Sequence, residues 1–192
     1  ELERELAKKP KLLIVNHASN VTGDIQNLEA IGALTKRYNV TLFVDAAQSG
    51  GVLDIDMEAL NIDVLGFTGH KSLLGPQGIG GLLINTQIAK ETRPFCYGGT
   101  GSLSEHIEQP DLMPDKFESG TMNTLGILGL KASMTFLEAI DRVERLENER
   151  RLIKKLQDYL LQRGDVVVIG NPDVNARTPV ISFFTHKKDI TE

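Results

Sequence analysis

Apolar runs of strand length alternate with amphipathic helical stretches along this chain, and this alternation limits the possible folds more than any other feature. A helix is predicted over Gln26–Tyr38 because Leu28, Ile31 and either Leu34 or Thr35 recur on one helical face. The strand candidates around it are Lys11–Asn16, Thr41–Val44, Asp63–Phe67 and Ile79–Ile84. Strands separated by helical crossovers predict an α/β fold with a mainly parallel sheet.

The second half of the chain begins with a long helical region whose composition changes near Ile140. Asn123–Ile140 is apolar and predicted to be a buried helix, whereas Asp141–Arg163 carries many charges and is predicted to be solvated on one side. Two further strands are predicted at Val166–Ile169 and Val180–Phe184. We therefore expect residues 1–140 to form the central part of a large domain. Residues 141–192 would begin a smaller C-terminal α+β domain.

Two stretches of the first half lack a strong periodic pattern. Met57–Leu60 is predicted to form one short helical turn. Thr86–Gly120 is rich in glycine, proline and acidic residues and is predicted to be a long loop, which in a compact domain is usually functional or held by a partner. The chain begins at Glu1 without methionine and stops where Asp189–Glu192 resembles a helix start, so we expect a central fragment of a longer protein.

Composition excludes several classes of protein. Hydrophobic residues make up 41% of the chain and charged residues 24%, as in ordinary folded proteins. The net charge is −5 and basic runs are short, so nucleic-acid binding is not expected. We expect no membrane-spanning or signal segment. A single cysteine, Cys96, allows no internal disulfide and suits a reducing cytoplasm, the predicted location.

Polar residues follow three of the predicted strands. Asn20 comes shortly after the first strand, Asp45 and Gln48 end the second, and Thr68 to Lys71 end the third. The carboxyl ends of strands in open α/β sheets are where ligands bind. Polar groups beside apolar strands are costly to bury unless they pair with each other or with a ligand. The pattern predicts a binding site at this edge of the sheet.

Lys71 lies in a glycine-flanked turn directly behind an apolar strand. Taken alone it is most simply a surface lysine, but a lysine amine can also form a Schiff base with the aldehyde of pyridoxal 5′-phosphate (PLP). Asp45 can keep the pyridine nitrogen protonated, and Gln48 can donate to the phenolic oxygen. Thr68, His70 and backbone N–H groups can hold phosphate oxygens. Together these residues predict a PLP site.

Five segments of the chain carry a family resemblance. In sequence order they are His17–Asn20, Val44–Gln48, Thr68–Lys71, Gly75–Gly80 and Glu118–Thr124. Together they resemble the class V aminotransferase family of PLP enzymes, which has fold type I. Within the family they are most similar to cysteine desulfurases and selenocysteine lyases. The resemblance covers residues 11–140 and implies a three-layer α/β/α large domain.

The resemblance implies roles for the residues near the reacting end of the cofactor. Lys71 would carry the Schiff base and later move a proton. Asp45 would pair with the pyridine nitrogen. Gln48 and Asn20 would lie near the phenolic oxygen and the substrate.

The resemblance also implies how the phosphate is held. Thr68 and His70 would bind it within one subunit. Thr121 would reach the phosphate of the neighbouring subunit's cofactor, so the family resemblance implies a homodimer with shared active sites. No metal is implied.

The activity that the resemblance implies for the full-length protein is conversion of L-cysteine to L-alanine plus enzyme-bound sulfur, with a sulfur-acceptor protein as a further partner. The ring-stacking residue, the carboxylate-binding arginine and the persulfide cysteine of such enzymes are expected outside these 192 residues. Three alternatives stay open. They are a class V aminotransferase, a lyase of the selenocysteine lyase or kynureninase type, and a folded fragment without activity.

Several residues have a plain structural explanation. Cys96 is predicted to be a loop thiol without catalytic duty, and Arg177 a surface arginine at a strand edge. His17 is open between a structural and a site role. Thr121 can also cap the helix that follows it. The glycines of Gly75–Gly81 fit neither the Walker nor the dinucleotide-binding spacing.

Overall fold

The computed structural model describes residues 1–103 and 105–186 and contains a four-stranded sheet in the order β1-β2-β3-β4. The first three strands are parallel and β4 is antiparallel to β3, so the predicted mainly parallel sheet is confirmed. Each strand begins and ends within one residue of its predicted bounds. The strands are β1 (Leu12–Asn16), β2 (Thr41–Asp45), β3 (Val64–Thr68) and β4 (Gly80–Ile84).

Two helices accompany the first strands. Helix α1 covers Leu2–Leu6, and α2 covers Leu28–Tyr38 in the crossover from β1 to β2, two residues shorter than predicted. Helix α2 begins where the side chain of Asn27 accepts the N–H of Ala30 at 2.9 Å. It ends at Asn39, which adopts the left-handed conformation (φ 53°) that commonly closes helices.

The main core lies between α2 and the sheet. Leu42 and Val44 of the central strand β2 are fully buried at 0% exposure, and Leu28 of α2 packs with them. Met57 and Leu60 also pack against this cluster. They belong to the predicted short turn, which is confirmed by the N–H of Leu60 donating to the carbonyl of Asp56 at 3.0 Å. Burial of this apolar surface is the main stabilisation that fixes the strand ends next to each other.

The remaining elements follow β4. Prediction and structure differ at Thr86–Gly120, because this stretch contains a helix and a 3-10 turn at Asp115–Phe117 rather than loop alone. The last strand begins two residues later than predicted and pairs antiparallel with the strand before it. The elements are α3 (Thr86–Glu91), α4 (Thr124–Glu138), α5 (Arg142–Leu161), β5 (Val166–Ile169) and β6 (Ser182–Thr185). The domain boundary near Ile140 stays a prediction, and the helix start at Asp189–Glu192 lies outside the described residues.

Helix α4 was predicted to be buried, and the structure corrects this. Gly126 is its one buried residue, while Leu125 is 84% exposed and Phe136 is 57% exposed. The helix contacts the rest of the described chain along a narrow face, where a Cβ atom added to Gly129 would lie 2.9 Å from the ring of Pro76. The rest of its surface is largely apolar but is exposed within the described chain. The sequence pattern shows that the helix is apolar. It does not show whether another surface covers the helix, which burial also requires.

Candidate functional site

The carboxyl ends of β1, β2 and β3 lie side by side. Asn16 pairs with Asp45, and Asp45 pairs with Gly66 in the next strand. Asp45 is half-buried, and its side-chain carboxylate accepts a hydrogen bond from the N–H of Ala47 at 2.8 Å. The backbone carbonyl of Asp45 accepts one from the N–H of His17 at 2.9 Å. This local turn fixes the acid at the sheet edge. The structure therefore places Asp45 in the middle of the predicted site.

The turn after β2 touches the turn after β3. Gly51 has a φ of 84°, and a Cβ atom added to it would lie 2.8 Å from the carbonyl oxygen of Ser72. Only glycine combines the left-handed backbone with so close an approach. Since Gln48 belongs to the first turn and Lys71 precedes Ser72 in the second, their chain segments are held together. Both residues are half-buried.

Lys71 lies in a loop that is closed by backbone hydrogen bonds. The N–H of Gly75 donates to the carbonyl of Gly69 at 2.7 Å, and the N–H of Gly69 donates to the carbonyl of Ile79 at 2.9 Å. The carbonyl of Lys71 itself accepts the N–H of Leu74, a left-handed residue with φ 58°. These bonds give the lysine a defined position between β3 and β4.

Two of the predicted phosphate ligands are already in contact. The hydroxyl of Thr68 and Nδ1 of His70 form a hydrogen bond of 2.9 Å at the end of β3. Thr68 is half-buried and His70 is exposed, so the imidazole remains accessible. A hydroxyl, an imidazole and the N–H groups of a turn are suitable donors for an anion.

Asn20 lies on the loop after β1, which we call the Asn20 loop and define as Ser19–Asp24. Ser19 closes the loop, since its N–H donates to the carbonyl of Asp24 and its carbonyl accepts the N–H of Gly23, both at 3.0 Å. The side chain of Asn20 is exposed. It belongs to the same sheet edge as Asp45 because β1 and β2 are parallel neighbours.

Arg177 is not the surface arginine that the sequence predicted. Its side chain is 2% exposed, and it donates a 2.6 Å hydrogen bond to the carbonyl of Thr22 in the Asn20 loop. The prediction was wrong because the burial of Arg177 depends on its packing against the Asn20 loop, and its acceptor in that loop, Thr22, is 155 positions away in sequence. The local pattern around residue 177 therefore carries no signal of its burial.

Thr121 is exposed and lies just before α4. Its alternative role as helix cap is not found, because Asn123 caps α4 by accepting the N–H of Gly126 at 3.0 Å. The amide of Asn123 also donates to the carbonyl of Gly78 at 3.3 Å. The segment that carries Thr121 is thereby attached to the loop that follows Lys71. A contact of Thr121 with a second subunit's phosphate stays a prediction.

His17 has the contacts of a structural residue. It is 5% exposed, and its Nδ1 lies 2.8 Å from the hydroxyl of Ser49, a buried partner that the sequence analysis did not identify. Burial lowers the pKa of His17 from its usual value because desolvation disfavours the charged imidazolium.

This burial makes a prediction about stability. Because the folded pKa is depressed, the unfolded chain binds a proton more readily, so stability is complete above about pH 6.5 and falls as the pH drops from there toward the folded pKa. One such proton contributes a slope of at most about 1.4 kcal/mol per pH unit. The free energy of unfolding, measured with urea at several pH values in this range, should change less per pH unit in His17→Asn than in the wild type. The exposed His106 gives the control His106→Asn, and an unchanged slope in His17→Asn contradicts the prediction.

Two other kinds of site have no support in the described parts of the chain. Residues 1–103 and 105–186 contain no cluster of three or more histidine, cysteine or acidic side chains that could bind a metal ion. Within the same residues, no helix has the length and apolarity needed to cross a membrane. Cys96 is exposed, in the region predicted as loop.

The sequence of the chain matches a known protein family along its whole length. The family model described as "Aminotransferase class-V" matches residues 1–192. The chain belongs to the class V aminotransferase family. This finding and the parallel sheet agree with the fold type I architecture inferred from the motifs.

Similar class V proteins carry the name cysteine desulfurase. A probable cysteine desulfurase of Borreliella burgdorferi is 35% identical over 199 residues, which cover 99% of this chain and 47% of the relative. The cysteine desulfurase of Escherichia coli O127:H6 is 35% identical over 180 residues, covering 92% of this chain and 43% of the relative. The chain thus spans about half the length of the curated relatives it matches.

Solved structures give the same result. The apo cysteine desulfurase of Thermococcus onnurineus superimposes with a TM-score of 0.83 at 30% identity, covering 97% of this chain and 48% of that one. A cysteine desulfurase of Escherichia coli gives a TM-score of 0.83 at 26% identity, covering 94% and 45%.

The side chains at the strand ends fit the PLP that the family uses. They offer an amine, a carboxylate, an amide, a hydroxyl and an imidazole, which are the groups that PLP needs from a protein. The contacts between the turns bring the carboxylate, amide and amine segments to one edge. This donor set carries the functional proposal that follows.

Proposed function

We propose that the full-length protein is a PLP-dependent, cysteine desulfurase-like enzyme that converts L-cysteine to L-alanine plus enzyme-bound sulfur. The observation that carries this proposal is the contact between two turns. Gly51 holds the segment of Asp45 and Gln48 against the segment of Lys71 at the end of parallel strands. Relatives that are 35% identical and named cysteine desulfurases support the choice of substrate.

In this proposal PLP supplies an electron sink that stabilises negative charge on the substrate's α-carbon. Lys71 would hold PLP through its amine and would move the proton of that carbon. Asp45 would keep a proton on the pyridine nitrogen, which would strengthen the ring's electron withdrawal. Gln48 and Asn20 would donate hydrogen bonds to the phenolic oxygen. Asn20 follows β1 and Gln48 follows β2. Because these strands are parallel neighbours, both side chains can approach one atom from adjacent strand ends.

The phosphate is assigned to the far end of the same edge. Thr68 and His70, already hydrogen-bonded to each other, would donate to it together with N–H groups of the following turn. Thr121 would donate to the phosphate in a second subunit, which makes the protein a homodimer with shared sites. The proposal also includes a sulfur-acceptor protein, the cytoplasm as location, and a domain division near Ile140.

Two other enzyme classes of the same family remain alternatives. A class V aminotransferase would use the same Lys71 and Asp45, as would a lyase of the selenocysteine lyase or kynureninase type. A separate alternative concerns the 192-residue chain alone, which would be a folded fragment without activity. The exposed apolar surface of α4 and the 62% exposure of Ile14 on the outer strand β1 favour this alternative for the isolated chain.

The substrate proposal is tested by incubating the full-length protein with L-cysteine and PLP. A desulfurase releases alanine and, with a thiol reductant present, one equivalent of sulfide. An aminotransferase, given a 2-oxo acid that accepts the amino group, instead yields the keto acid of cysteine and no sulfide. The same assay with selenocysteine and with kynurenine identifies the lyase alternatives. Release of a keto acid without alanine contradicts the desulfurase proposal.

A further inference from the structure

We propose that Arg177 is a positioning residue for the cofactor site, because it fixes the Asn20 loop and thereby the place of Asn20. The inference rests on the proposed PLP function for its consequence, whereas its structural basis is independent of any cofactor. Arg177 lies beyond α5, in the segment that leads to β6, and it is separated from Thr22 by 155 positions in sequence.

The guanidinium of Arg177 joins four parts of the chain. It binds the Asn20 loop, the end of β5 and the turn after it, the segment before β6, and helix α5. Its acceptors are the carbonyls of Thr22 (2.6 Å), Val180 (2.8 Å), Asn171 (3.2 Å) and Ile169 (3.3 Å) and Oε1 of Gln157 (3.2 Å).

These acceptors are neutral, which is unusual for a buried cation. Within residues 1–103 and 105–186 the guanidinium forms no ion pair. A buried charge is strongly unfavourable unless hydrogen bonds replace its hydration, so the carbonyls must stay in place around it. A planar guanidinium can serve several fixed acceptors at once, whereas a lysine ammonium has three donors on a flexible stem. The burial of Arg177 therefore constrains the backbone of the Asn20 loop.

The rest of the loop docks on the same segment. The N–H of Thr178 donates to the carbonyl of Gly23 at 2.9 Å, and Asp24 accepts the N–H of Asn171 at 2.6 Å. The bond from Asn171, together with the hydroxyl of Thr22 and the charge of Arg177, lowers the pKa of Asp24. A Cβ atom added to Gly23, whose φ is 78°, would lie 3.0 Å from the carbonyl oxygens of Thr178 and Val180.

Asn20 is two residues from Thr22, the closest acceptor of Arg177. Its side chain is exposed, so its position is set by the backbone on either side. Strand β1 fixes one side and the Arg177 contacts fix the other. Loss of the guanidinium is therefore expected to move or loosen the amide that the proposed function directs at the phenolic oxygen of PLP.

The first experiment measures the loop without reference to PLP. Hydrogen exchange of the Asn20 loop amides is compared in wild type, Arg177→Lys and Arg163→Lys, where Arg163 is an exposed arginine paired with Asp165. We expect exchange in Arg177→Lys to be at least about tenfold faster, and exchange in Arg163→Lys to be unchanged. Unchanged protection in Arg177→Lys overturns the inference.

The second experiment measures the consequence at the cofactor, in the full-length protein loaded with PLP. The Schiff-base absorption band is titrated with pH in Asn20→Ala, in Arg177→Lys and in the double variant. Loss of a donor to the phenolic oxygen removes stabilisation of its charged form, so both single variants should raise the pKa of the imine and weaken PLP binding about tenfold. The double variant should add little beyond Asn20→Ala, because both changes act through one amide.

Gln157→Leu removes one acceptor of Arg177 and serves if Arg177→Lys does not fold. It should change the titration in the same direction by a smaller amount. A wild-type titration in a folded Arg177→Lys protein, or additive effects in the double variant, overturns the positioning role. If the wild type forms no Schiff base, the proposed function fails, while the exchange experiment still decides whether Arg177 fixes the loop.

Discussion

Replacing Lys71 with alanine is expected to abolish the visible absorption band that the full-length protein forms with PLP. The band requires an imine between the cofactor's aldehyde and a lysine amine, and Lys71 is the lysine that the closed turn between β3 and β4 presents beside the segment of Asp45. Activity on L-cysteine should fall by a factor of about 10² to 10⁴ or more, since proton transfer alone contributes that much.

The matched control for this prediction is Lys131→Ala, which removes an exposed lysine of α4. That variant should keep both the band and the activity. A Lys71→Ala protein that folds, binds PLP and retains the same band would show that another lysine carries the cofactor. A free PLP solution measured in parallel separates bound from unbound absorption.

Gly51→Ala is expected to destabilise the protein by about 2–5 kcal/mol. A left-handed backbone costs a non-glycine residue about 1–2 kcal/mol, and crowding in a packed region costs about 1–3 kcal/mol. Gly51 meets both conditions, because its φ is 84° and a Cβ atom would lie 2.8 Å from the carbonyl of Ser72. The free energy of unfolding, measured in urea, reports the effect.

Gly101→Ala separates the two contributions. Gly101 has a φ of 80°, but among residues 1–103 and 105–186 no atom would lie within 4 Å of a Cβ atom added there, so a backbone cost of about 1–2 kcal/mol is expected. The excess in Gly51→Ala then measures the contact between the turns of Gln48 and Lys71. Equal losses in the two variants would mean that this contact contributes nothing to stability. A folded Gly51→Ala protein should also bind PLP more weakly than Gly101→Ala.

The parts of the fold that follow from local pattern were predictable. The strands of the first sheet were placed within one residue, because a short apolar run between turn residues indicates a strand wherever it lies. The side chains after β1, β2 and β3 could be assigned to one sheet edge for the same reason. Helix α3 was missed, although Asn85 accepts the N–H groups of Gln87 and Ile88 and is a readable cap.

The parts that depend on distant contacts were not predictable. Arg177 looked like a surface residue because its acceptor Thr22 is 155 positions away. The buried pair of His17 and Ser49 joins residues 32 positions apart. The exposure of α4 depends on which surfaces are present to cover it, and its apolar sequence does not contain that information. A single sequence shows the composition of a chain and the periodicity of its apolar residues, but it does not show which residue each side chain contacts.

The assignment of Lys71 as the lysine of a PLP site can be tested by reducing the full-length protein with borohydride in the presence of PLP. Reduction converts the imine into a stable secondary amine, so the pyridoxyl group stays on the lysine that carried it. Digestion and mass spectrometry then locate the label. We predict one pyridoxyl group per chain on Lys71. A label on another lysine, or none in a protein that is folded and saturated with PLP, would contradict the claim.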